Sequence, residues 1–102
     1  MIKHILYIGL NDKDSKQQEI ETLTAFKIVL NTVKAYYDGG TIKECKGFYK
    51  HESGAVTIET TLEVSILFAE ENKTLALVQD LKQLLNQESI ALQIEDIKST
   101  LI

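Results

Sequence analysis

Proline is absent from this chain of 102 residues, so no segment is pre-set as a polyproline ligand or a stiff linker. Cysteine appears once, as Cys45, and an internal disulfide is therefore excluded. Secreted domains of this size usually need such staples, so a reducing, cytoplasmic setting is the expectation. Clusters of basic residues are also missing. With a net charge of −4 the chain has little with which to neutralise phosphates, which argues against nucleic-acid binding. No run approaches the roughly 20 apolar residues of a membrane helix. The opening Met1–Tyr7 lacks the apolar stretch and small-residue cleavage site of a secretory leader.

What is present is ordinary globular material, with 44% apolar and 25% charged residues. A chain of this length matches one domain, residues 1–102, burying about two-thirds of its unfolded surface. Residues 2–9 are a β-branched and aromatic run that reads as a strand ending near Gly9. A polar loop follows, and Ser15 with Gln18 has capping-box spacing for a helix starting there or a few residues later. Ile20, Leu23, Phe26, Leu30, Val33 and Tyr37 form a helical stripe that stops at Asp38-Gly39-Gly40.

Residues 41–50 read as a strand, His51–Gly54 as a turn, and residues 55–68 as a long second arm. In that arm Val56, Ile58, Thr60, Leu62, Val64, Ile66 and Phe68 alternate with a mostly polar set, so one face is buried. At about 3.3 Å per residue the arm spans roughly 45 Å. Asn72 is placed to cap a second helix carrying Leu75, Val78, Leu81 and Leu85, with Leu77 and Leu84 beside them. Ser89–Ile94 alternates once more and supplies the last strand. Strand, helix, strand, strand, helix, strand, with right-handed crossovers, gives an α+β ferredoxin-like fold with both helices on one sheet face.

The other face is then uncovered, and it carries Ile5, Tyr7, Tyr49, Thr57, Glu59, Thr61, Leu67 and Ala91. A solvated antiparallel face is one account of it. The exposed tyrosines, the aliphatic residues and the long hairpin edges favour another, a homo-oligomer with a two-fold dimer as the simplest form.

Motifs for chemistry are few. Asp12-Lys13-Asp14 opens like a calcium loop, but Gln17 and Leu23 stand where the loop needs Gly and Glu. His4 and His51 have no partner at metal-ligand spacing, and Cys45 alternates within a strand as a small buried residue does. Gly39-Gly40 follows a helix, whereas phosphate-binding glycines open one. No cofactor or metal is implied, and no residue is assigned a catalytic role. Glu59 and Glu63 share the polar face, as solvated carboxylates or as an acid-base pair in an oligomer cleft. Gln87-Glu88-Ser89 sits at a helix-to-strand junction, where it either bonds local backbone or presents an amide and a carboxylate to a ligand.

Four short motifs resemble those of a group of small bacterial domains of unknown function. They are Tyr7-Ile8-Gly9, Asp38-Gly39-Gly40-Thr41, Gly47-Phe48-Tyr49 and Gln87-Glu88-Ser89, with Glu59 matching a carboxylate just after the hairpin turn. The resemblance runs over residues 5–92. It departs at Phe48, where the group has Gln, and it lacks a Pro after the first helix. It implies a self-contained domain and candidate ligand-binding residues Tyr7, Tyr49, Glu59, Gln87 and Glu88, without an activity.

Two function classes follow. One is a non-catalytic homo-oligomer holding a small ligand or a protein partner at its sheet face or subunit junction. A sequestering or inhibitory protein of a mobile element is a variant of that reading. The other is a small cofactor-free enzyme resembling dimeric α+β-barrel enzymes, with Tyr7, Tyr49, Glu59 and Gln87 around an enclosed pocket. Burial of Glu59 separates the two. An RNA-binding sheet is the weakest reading, because the central strand offers Thr and Glu where such sheets stack bases on aromatics.

Overall fold

The alternating and helical patterns resolve into six elements in the computed structural model, which describes residues 1–102. They are β1 (Ile2–Gly9), α1 (Thr22–Lys34), β2 (Thr41–Lys50), β3 (Val56–Leu67), α2 (Glu71–Leu84) and β4 (Ala91–Asp96). The sheet order is β2-β3-β1-β4, and every neighbouring pair is antiparallel. This is the ferredoxin-like arrangement. Side chains alternate across a strand, so His4, Leu6 and Ile8 of β1 and Leu62, Val64 and Ile66 of β3 share one face. They pack there against Ala25, Val29 and Val33 of α1 and Leu77, Val78 and Leu81 of α2.

Several boundaries and faces differ from the sequence pattern. Residues 15–21 are not helical; α1 starts at Thr22, and its preceding residue Glu21 makes no side-chain cap. Ser15 instead belongs to a turn organised by Asp12, whose Oδ2 accepts from the backbone N–H of Asp14 and Ser15. The buried stripe of α1 is Ala25, Val29 and Val33, successive four-residue neighbours on one helix face, while Leu23 and Leu30 lie off that face and are exposed. Thr74 and Leu77 take core positions on α2, and Leu75 and Leu84 are exposed. Helix α2 begins after Glu70, so Asn72 lies inside its first turn rather than capping it. Strand β4 runs Ala91–Asp96, two residues later than its alternation suggests, and Ile94 is exposed.

The hairpin of β2 and β3 projects past both helices, giving a molecule 46 Å long and about half as wide. Alternation therefore continues where nothing remains to cover it. Phe48, Val56 and Ile58 lie on the helix side of the sheet but are 78%, 56% and 68% exposed. Gly54 closes the hairpin with φ 91°, a conformation open to glycine.

One polar group is locked in the core. His4 is 1% exposed and its Nδ1 lies 2.7 Å from Thr74 Oγ1, which also hydrogen-bonds Tyr37 Oη. The Tyr37 hydroxyl donates to the Glu70 carbonyl and accepts from the Glu70 N–H, tying the exit of α1 to the start of α2. Burial lowers the His4 pKa, against an opposing pull from Glu71. The unfolded chain therefore binds a proton that the folded chain resists. Stability is full above the unfolded value of about 6.5 and declines as pH falls through it towards the lower folded value. Urea midpoints should drop between pH 7.5 and 5, and His4→Gln should flatten that slope. An unchanged slope in the variant would mean that His4 is not the group responsible.

Candidate functional site

Strand pairing places the candidate residues on the face opposite the helices. In register across the sheet stand Ala91, Tyr7, Glu63 and Lys43, then Gly9, Thr61 and Cys45, then Glu59 and Gly47, then Thr57 and Tyr49. Tyr7, Tyr49 and Glu59 consequently line one cleft of about 420 Å³, together with Cys45, Gly47 and Thr61. The cleft is an open trough at the root of the hairpin, not an enclosed cavity.

Two glycines make its floor. A Cβ on Gly9 would collide with Glu59 Oε1 and lie 2.6 Å from Cδ, and a Cβ on Gly47 would lie 2.9 Å from Thr61 Oγ1. The Glu59 carboxylate thus rests directly on the Gly9 backbone. Its other oxygen, Oε2, accepts from the Asn11 N–H at 3.0 Å. Glu59 takes part in none of the salt bridges, which join Met1 to Asp96, Lys43 to Glu63 and Lys73 to Glu70. A half-buried carboxylate held in place with no counter-charge is what the arrangement offers a ligand.

Asn11 is itself positioned from behind. Gln87 Nε2 donates to the Asn11 carbonyl at 2.9 Å and to the Leu85 carbonyl at 3.2 Å. Asn86, in a left-handed conformation with φ 49°, donates its amide to Asp12 Oδ1 and Asp14 Oδ2. These bonds hold the Asp12 carboxyl below its usual range, the Asn86 amide contributing most. The Asp12-Lys13-Asp14 segment is a turn pinned to the end of α2. Gln87 accordingly stands one contact behind the cleft, and the exposed Glu88 makes no hydrogen bond or salt bridge.

Further along the same face, Lys43 Nζ pairs with Glu63 at 3.2 Å beside Tyr7. Burial raises the Tyr7 pKa, and the Glu63 carboxylate adds to the shift, so the phenol keeps its proton well past neutral pH. At the cleft's outer end the Tyr49 and His51 rings meet edge to face, centroids 4.8 Å apart, and His51 Nε2 hydrogen-bonds Thr57. Tyr7, Tyr49 and Glu59 are the candidates that the fold brings together. The seat beneath Glu59 left no sign in the sequence, because Asn11 and Glu59 are 48 residues apart and only folding joins them.

No protein-family model and no curated protein matches the sequence. Solved structures share the fold. A phage SAM lyase in complex with S-methyl-5'-thioadenosine superposes with a TM-score of 0.63 at 20% identity, covering 93% of this chain and 80% of that one. A DUF3240 family protein from Shewanella baltica gives 0.56 at 13% identity, with 99% and 97% covered. A point mutant of CutA1 from Pyrococcus horikoshii gives 0.57 at 20% identity, with 98% and 86% covered. At such identities the likeness is one of fold. It agrees with a small domain of the kind grouped under unknown function, and it leaves the Asp-Gly and Gln-Glu-Ser motifs without independent support. No helix is long and apolar enough to cross a membrane.

Proposed function

We propose that this protein is a homo-oligomer that binds a small cationic ligand with a flat ring in the Glu59 cleft, beside the hairpin arm of a second copy. The observation carrying this reading is the Glu59 carboxylate, fixed on Gly9 by the Asn11 N–H and left without a counter-charge. Gly9 and Gly47 leave room for the Glu59 carboxylate and the Thr61 hydroxyl to lie against the sheet backbone, so the floor of the cleft is polar. Tyr7 and Tyr49 supply ring faces, worth about 0.5–2 kcal/mol against a cation depending on desolvation. The exposed arm residues Phe48, Val56 and Ile58 are the surface a second copy would cover.

Among the proteins sharing this fold, the phage SAM lyases give the ligand class a definite form. S-adenosylmethionine is a sulfonium cation with an adenine ring, and it satisfies both requirements of the cleft. S-adenosylhomocysteine keeps the ring and the amino-acid arm but carries a neutral thioether in place of the sulfonium, so the pair isolates the role of Glu59. At ~4 Å and an effective dielectric of about 20, opposite charges attract by about 4 kcal/mol before desolvation. The expected net preference for the sulfonium over the neutral thioether is at least about tenfold, equivalent to about 1.4 kcal/mol. Titration calorimetry with both compounds should show that preference, and Glu59→Gln should erase it without lowering the melting temperature. Equal affinities in the wild type would sink the cationic reading.

A second reading is turnover. It draws on the lyase neighbours and on the Tyr7 phenol, which lines the cleft. Mass spectrometry of S-adenosylmethionine incubated with the protein decides between them. Consumption lost in Tyr7→Phe supports the enzyme, whereas stable binding of intact compound supports a sequestering protein.

A further inference from the structure

A larger hollow of about 850 Å³ lies at the opposite end of the open sheet face, where the α1–β2 connection meets the start of α2. Its chemistry is the reverse of the Glu59 cleft. Lys3, Lys43 and Lys73 line it against two carboxylates, Asp38 and Glu63, on a chain whose net charge is −4. Lys43 and Lys73 are paired, with Glu63 and Glu70, and Lys3 has no partner. On the rim, the backbone N–H groups of Asp38, Gly39 and Gly40 donate no hydrogen bond within the protein. Gly39 has open space where a Cβ would be. Free backbone N–H groups beside a cationic side chain are donors that phosphate oxygens can take.

The remaining walls are aromatic. Tyr36 and Tyr37 line the hollow, and their hydroxyls are committed to Asp80 and to Thr74 with Glu70. Lys73 Nζ stands 5.8 Å from the centre of the Tyr37 ring. Phe68 is held with φ 55°, a left-handed backbone that bulky residues rarely adopt, and its exposed side chain lines the same hollow. Strained positions of this kind collect at ligand sites. The volume falls within the range usual for small-molecule pockets.

We propose that this hollow is a second site, binding a phosphate ester that carries a flat ring and is the size of a nucleoside monophosphate. The phosphate meets the Gly39-Gly40 N–H groups and Lys3, and the ring lies among Tyr36, Tyr37 and Phe68. The site is separate from the Glu59 cleft, so either can fail without the other.

The test is amide NMR on the full chain titrated with adenosine 5'-monophosphate, adenosine and inorganic phosphate. The nucleotide should move the Gly39 and Gly40 amides and bind at least about tenfold tighter than adenosine. Its affinity should fall as salt is raised. Lys3→Ala should weaken it several-fold and leave S-adenosylmethionine binding unchanged. Three results would overturn the proposal: equal affinity for adenosine and its monophosphate, inorganic phosphate binding as tightly as the nucleotide, or shifts confined to the Glu59 cleft.

Discussion

Replacing Phe48 and Ile58 together with aspartate should reduce the proposed assembly to monomers while leaving each monomer folded. The two side chains face each other in register across the hairpin, and nothing in the subunit covers them. In the monomer they contribute little, so the melting temperature should move no further than a surface change of about 0.5 kcal/mol allows. Buried against a second copy, each would be worth about 1.5–3 kcal/mol, and an uncompensated aspartate there costs more. The combined effect exceeds what a modest interface tolerates. Light scattering behind size exclusion, with a thermal melt on the same fractions, gives both quantities. An unchanged mass would place the interface elsewhere, and a collapsed melt would mean that the arm matters to the fold itself.

Gly9→Ala should abolish selective binding in the Glu59 cleft at a small cost to the fold. The added methyl would collide with Glu59 Oε1 and sit 2.6 Å from Cδ, so the carboxylate must move. It is the far end of a flexible side chain, and it can swing towards solvent. Displacement loses the bond from the Asn11 N–H, a charge-assisted bond on the order of 1.5–3 kcal/mol at most. The sulfonium-over-thioether preference should vanish as it does in Glu59→Gln. The double variant should bind no worse than either single one, because both remove the same placed charge. Calorimetry on the three proteins checks this. Retained preference in Gly9→Ala would show that the seat on Gly9 does not set the position of the charge.

The order of elements was legible because apolar spacing changes period between strands and helices, and because Gly39 and Gly54 mark two of the turns. Alternation also told which residues share a face. It could not tell how far the helices reach, and so Val56, Ile58 and Phe68 read as core although they lie beyond or beside the covering layer. The stripe of α1 was ambiguous for a similar reason. Leu23 and Leu30 repeat as regularly as Ala25, Val29 and Val33, and only packing against the sheet selects the second set. Ile5 and Thr61 lie on the uncovered face yet are buried, because β1 and β3 are the inner strands, flanked on both sides.

The cleft was legible in part. Tyr7, Tyr49 and Glu59 sit on alternating positions of three paired strands, so a correct register brings them together. Their support was not legible. Gln87 reads equally well as ligand-facing or junction-forming until its bond to the Asn11 carbonyl is seen. Glu88 is exposed and makes no hydrogen bond or salt bridge, so the structure adds nothing to its two sequence readings.

The most direct test of the central claim is a native mass spectrum of the gently purified protein, recorded with and without added S-adenosylmethionine. The expected result is an assembly of two or more 11.5 kDa chains that takes up one ligand mass per chain. A bare monomer that remains bare in the presence of the compound would contradict it.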